Sequence, residues 1–226
     1  MPTKLSIAAL SFTLFLSATA LNAQTTGATT SPLPVFKPWQ SIREADITEK
    51  TRVWRSVSKD TDARTFMTCT GNHTLTDVLL TAVRNGRINA YNPVNDRFTE
   101  RISADAVISM LDGCNLLNRS GGKEQSLSPE STGAAVSKLL IKEDELTVAG
   151  SPAKQVRIVG IAPVVLVADK HGNVIEKTLF WVYYPDSREY LSTQQSVVSA
   201  VSWDAYFEDR MFNSVILKQL ESRSRK

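Results

Sequence analysis

The stretch that decides the fold runs from Gln155 to Tyr184, QVRIVGIAPVVLVADKHGNVIEKTLFWVYY. Apolar residues fall on both parities from Val156 to Val167, the pattern of a strand buried on both faces. Pro163 has no amide proton to give a ladder, so its place predicts a bulge or an edge position. Asp169 to Asn173, DKHGN, sets a glycine between two apolar runs and predicts a hairpin loop. The second run, Val174 to Tyr184, is β-branched and aromatic and predicts the return strand. A hairpin this apolar needs cover on its faces, and the rest of the chain offers helices. The expected fold is α+β: a compact domain with a central hairpin or sheet over about 155–184, packed by helices that include a C-terminal amphipathic one.

Working outward, TRVWRSVS alternates Val53, Arg55 and Val57 against Trp54 and Ser56 and predicts a strand. TLTDVLLTAVRNG predicts a helix: Thr74 is the N-cap with Asp77 three residues on, and Leu75, Val78, Leu79, Ala82 and Val83 form one stripe. Gly86 ends it as a left-handed cap. RINAY returns as a strand, NPVNDR turns, and Ser103 caps a helix carrying Ala104, Val107, Ile108 and Leu111 on one face, with Gly113 as its stop. KLLIKEDELTV reads equally as strand or helix, with KEDE as a solvated stretch. SWDAYFEDRMFNSVILKQLES reads as a final helix capped by Ser202. Trp203, Tyr206, Phe207, Met211 and Leu217 make one stripe on it; Phe212, Ile216 and Leu220 make another at i, i+4, i+8. A helix apolar on two sides buries both. The second side meets either a neighbouring subunit or more of the same core.

The chain's ends read differently. Residues 1–23 form a signal peptide, with Lys4 before an apolar run and small residues at the junction. Cleavage falls after Ala23 or, alternatively, Ala20, and no cysteine stands there to take a lipid. Residues 24–41 are rich in Thr, Ser and Pro, an extended arm or linker. Val35, Phe36 and Trp39 are out of place in a free linker and predict an arm that docks. Residues 42–222 make a single α+β domain, with a Ser- and Gly-rich mobile insertion at about 118–135 and a basic tail at 223–226. The two cysteines, Cys69 and Cys114, either form one disulfide or stand as buried free thiols. With 26 Lys and Arg against 23 Asp and Glu, the formal charge of +3 is too small for a nucleic-acid binder.

No constellation for chemistry emerges. His73 and His171, the two histidines, lie in predicted turns, and no zinc spacing is present. Ser-x-x-Lys occurs at Ser56, Ser120 and Ser151 without the companion motifs of the serine–lysine hydrolases. Glu143, Asp144 and Glu145 are chain neighbours and cannot share one pocket. Asp204, Glu208 and Asp209 read as surface ion-pair partners of Arg210 or Lys218. No catalytic residue, cofactor, metal or small-molecule substrate is expected. A Ser-Lys hydrolase, or a free periplasmic binding module with a pocket near Trp181 and Tyr183, are the alternatives.

Several strings do match a family when taken in order: EADITEKTRVWRSVS, AVRNGRINAYNPVNDRF, VRIVGIAPVV, LFWVYYPDSREYL and WDAYFEDRMFNSVI. The chain resembles the GldN/PorN family, the N component of the gliding-motility and type IX secretion machinery of Bacteroidota, from about Glu44 to about Ile216. The resemblance implies a non-enzymatic periplasmic scaffold. It implies a ring formed with an outer-membrane lipoprotein, the K component, and a contact with the periplasmic domain of the inner-membrane motor, the M component. Rings that bury area yet keep a polar edge suit such contacts. The candidate interaction residues are Trp181, Tyr183, Tyr184 and Arg188 in the aromatic run, and Arg210, Phe212 and Ile216 on the final helix.

Overall fold

The first run of the 155–184 hairpin forms the middle strand of one antiparallel sheet. The computed structural model describes residues 36–67, 73–112, 135–196 and 201–223. Its strands are β1 (Ile47–Ser58), β2 (Ala90–Tyr91), β3 (Arg101–Ile102), β4 (Val136–Val148), β5 (Gln155–Ala168), β6 (Val174–Thr178), β7 (Trp181–Tyr183) and β8 (Val215–Arg223). Its helices are α1 (Leu75–Arg84), α2 (Ala104–Asp112), α3 (Tyr184–Ser192) and α4 (Trp203–Glu208). The strands run β3-β2-β7-β5-β4-β1-β8, with β6 also on β5. The α+β class expected from the sequence is the class of the structure. Cys69, Cys114, Gly113, Ser120, residues 118–134 of the expected insertion, the expected leader, residues 24–35 of the expected arm and residues 224–226 of the expected tail lie outside the described residues.

Pro163 shapes the hairpin. β6 pairs with Val164–Ala168 and β7 with Gly160–Ile161, so the return strand is interrupted opposite the proline. Within a strand a residue's N–H and C=O point the same way. On that side Pro163 offers only its carbonyl, which accepts from the Leu179 amide at 2.9 Å. The expected irregularity appears as a break in the partner. The return strand is also shorter than expected: at Tyr184 the chain enters α3, with Pro185 in its first turn, where a missing N–H costs nothing. The turn itself is as read. Gly172 sits at φ +83°, and the Asp169 carboxylate accepts from the His171 and Asn173 amides, both at 2.8 Å.

The first helix also follows its sequence. Thr74 and Asp77 form a reciprocal capping box, the Asp77 carboxylate accepting from the Thr74 amide at 2.8 Å. Gly86 lies at φ +63°, a left-handed end that only glycine adopts without strain. Ser103 accepts from the Ala106 amide at 3.1 Å and opens α2.

The final helix is where the structure departs most. Ser202 caps it, accepting from the Ala205 amide, but it ends at Glu208. Arg210 adopts φ +52°, a left-handed residue that stops the helix, and from Val215 the chain is strand. β8 pairs with β1 over Glu49–Ser56. The two-sided C-terminal helix is therefore a short helix, a turn and an edge strand. Its supposed stripe divides accordingly: Phe212 is buried in the core, while Ile216 and Leu220 are exposed on β8.

The ambiguous KLLIKEDELTV is β4, paired with β1 on one side and β5 on the other. KEDE is not solvated: Lys142, Glu143 and Asp144 are all buried. The four helices of the described residues lie against one face of the sheet. Their large side chains, Leu75, Leu79, Tyr184, Trp203, Tyr206 and Phe207, close over Val57, Leu139, Ile141, Ile161 and Val165. Each buried aromatic removes roughly 150–250 Å² from water, so α4 contributes heavily to the core despite its length. The other face carries a smaller cluster of Tyr91, Ala162 and Trp181 with Phe98, Leu140 and Tyr183.

Candidate interaction surface

The seven residues singled out in the sequence do not converge. Tyr184 and Arg188 lie under the arm. Tyr184 is fully buried, and its hydroxyl donates to Asp204 at 2.9 Å. Arg188 is also buried; its guanidinium donates to the Asp204 carboxylate at 2.8 and 3.2 Å and to the Lys37 carbonyl at 3.0 Å. It also pairs with Glu208 at 3.2 Å and stacks over Trp39, with 4.6 Å to the ring centroid. Trp39 donates its indole N–H to Glu208. The described end of the expected arm, residues 36–41, packs on α3 and α4 through Lys37 and Trp39. A cavity of about 410 Å³ remains beneath it, lined in part by Phe36, Trp39, Arg188 and Glu208. Burial raises the Glu208 carboxyl above the ordinary glutamate range, although Trp39 and Arg188 pull it down. Asp204 and Glu208 are thus not surface partners of Arg210 or Lys218; they hold Arg188 and the arm.

Trp181 and Tyr183 stand on the opposite face. Phe98, at φ +57°, lays its ring among theirs: its centroid is 5.6 Å from Tyr91, 6.0 Å from Trp181 and 5.2 Å from Tyr183. Gly160 lies beneath, and a Cβ there would come within 2.4 Å of the Phe98 ring. The space beside Trp181 is packed with Phe98, where the binding-module alternative expects a pocket. Next to this cluster Lys142 is 4% exposed and pairs with Asp96 at 3.2 Å, its ammonium over the Trp54 and Phe98 rings. Burial pushes that ammonium below the usual lysine range against the pull of Asp96. Burial would raise Asp144, but Arg52 and Lys50 outweigh it and hold the carboxyl below its usual range.

Arg210 and Phe212 serve the fold. Glu143, with no exposed surface, accepts from Arg210 at 2.9 Å and from Arg55 of β1. Arg210 therefore ties the turn after α4 to the centre of the sheet. Phe212 packs on Phe207, with centroids 5.7 Å apart. Of the motif serines described, Ser56 is buried in β1, and Ser151 donates to the Ala153 carbonyl at 3.1 Å.

Only Ile216 among the seven is a strongly exposed apolar side chain, and it has company. Val215, Ile216, Leu217 and Leu220 are all 46–53% exposed. They ride on β8, which ends the sheet and pairs only with β1 among the described residues. A nine-residue edge strand with apolar side chains and an open row of backbone donors and acceptors is a template for another strand. The sequence had named Ile216, Leu217 and Leu220, but on a helix, so the edge itself was missed.

The architecture is thus that of an α+β protein whose prominent outward feature, among the described residues, is an exposed apolar edge strand, with its described titratable clusters engaged in internal ties. A search of the curated proteins finds no match. The family model described as "Gliding motility associated protein GldN" matches residues 42–226. The chain belongs to the GldN family, and with it to the components of the gliding-motility and type IX secretion machinery, a structural family and not a known enzyme family.

Proposed function

We propose that the protein is a periplasmic, non-enzymatic scaffold subunit of this machinery. It assembles into a ring with an outer-membrane lipoprotein and contacts the periplasmic part of the inner-membrane motor. The observation that carries the reading is β8: seven consecutive residues, 215–221, are exposed on a sheet edge that pairs only with β1 among the described residues, and four are large and apolar. Such an edge templates pairing with another chain, and Lys218, Glu221 and the register shift at Trp54–Arg55 blunt it only in part. The family membership and the leader-like N-terminus support the same reading.

The test is Leu220→Asp in cells. Because the side chain is half exposed, the variant is expected to fold with an unchanged thermal midpoint and to lose its partners when membranes are solubilised and the tagged chain is captured for mass spectrometry. Capture of the same lipoprotein and motor proteins at wild-type yield, with normal secretion, would overturn the reading.

A further inference from the structure

β8 is not the sheet's one open edge. β6 pairs with β5 alone among the described residues, and its first three residues, Val174, Ile175 and Glu176, are exposed. Direction can be followed through the ladders. β8 is antiparallel to β1, β1 to β4, β4 to β5 and β5 to β6, so β8 and β6 run the same way. Faces can be followed as well. Lys218 and Lys142 both stand over the Trp54 ring, and Lys138, two pleats along β4 from Lys142, pairs with Glu176. Lys218 and Glu176 therefore project from the same face.

We propose that β8 of one copy adds to β6 of a second copy, strand parallel to strand, so that one sheet continues from subunit to subunit. This rests on the scaffold reading above and deepens it. A second copy placed by translation and a small rotation presents β6 alongside β8 with the same face outward. In the register that sets Lys218 beside Glu176, Gln219 meets Lys177 and Leu220 meets Thr178. Opposite charges then meet at the centre, and the apolar edge residues leave water. Two different patches are joined, so the contact is heterologous: it repeats, and it closes into a ring or grows into a filament according to the rotation. A β8-to-β8 contact would stop at a dimer.

The test is charge reversal with mixing, read as self-association of the purified exported chain by light scattering after gel filtration. Lys218→Glu and Glu176→Lys each place like charges together and are expected to weaken association roughly tenfold. Both side chains are exposed; Lys218→Glu should match the wild-type thermal midpoint, and Glu176→Lys, which also loses its pair with Lys138 of its own chain, should fall slightly below it. An equimolar mixture of the two variants should recover wild-type association, because every junction in an alternating assembly again pairs Lys with Glu. A wild-type chain that stays monomeric, single variants that associate normally, or a mixture that fails to recover would each overturn the β8–β6 contact. If the mixture fails while Leu220→Asp still loses its cellular partners, β8 takes a strand from another protein and the scaffold reading stands.

Discussion

At the scale of single residues, the buried carboxylates decide most. Glu143 holds two guanidiniums from separate elements, Arg55 on β1 and Arg210 in the turn before β8. Removing one partner of a buried pair leaves the others uncompensated, so Glu143→Ala should cost about 3–5 kcal/mol in urea unfolding. A second residue-scale prediction concerns Gly160. The Phe98 ring is held by three aromatic neighbours and cannot swing away freely, so Gly160→Ala should cost about 1–3 kcal/mol. Phe98→Ala in the same chain should return part of that loss, and a double-mutant cycle measures it. None of this was visible in KEDE as a string. The cations that make it a buried stretch sit far off in the chain, on β1, where Arg52 faces Asp144 across the ladder, and at Arg210, and only the fold brings them together.

At the scale of elements, local signals were legible wherever they were local in physics. The Thr74–Asp77 box, the left-handed Gly86 and the DKHGN turn each satisfy backbone groups a few residues away, and each is found as read. The end of the chain was misread because its spacing is shared by two periods. Phe212, Ile216 and Leu220 recur every four residues, which marks one side of a helix and equally one side of a strand. What separates the two is the left-handed Arg210, a conformation an arginine does not announce. The arm makes its own prediction. Trp39 anchors it through Glu208 and the Arg188 guanidinium. Trp39→Ala should therefore raise amide exchange over residues 36–43 by about tenfold or more and leave β4 and β5 protected.

At the scale of the whole molecule, these groups set a pH profile. Asp62, Asp96 and Asp144 are held below the ordinary aspartate value by hydrogen bonds and nearby cations that outweigh their burial. Their contribution to stability is complete above that ordinary value and is lost as pH falls through the lower, folded values. Glu208 runs the other way. Its raised carboxyl binds a proton more readily folded than unfolded, so stability rises as pH falls through that raised value. The thermal midpoint should climb from neutral pH into mild acid and drop below about pH 4. Glu208→Gln should flatten the climb and leave the acid drop in place.

The sheet order carries one more consequence. Among the described residues β1 is the first strand and β8 the last, yet they are neighbours, with Glu49 opposite Arg223. Pairings so distant along the chain are slow to find, because the long loop between them must close before any contact rewards it. β1 therefore keeps one side unclaimed until residues 215–223 arrive. A polypeptide delivered head first through a membrane pore would be held unfinished, and open to handling by chaperones, for as long as its tail is still in transit.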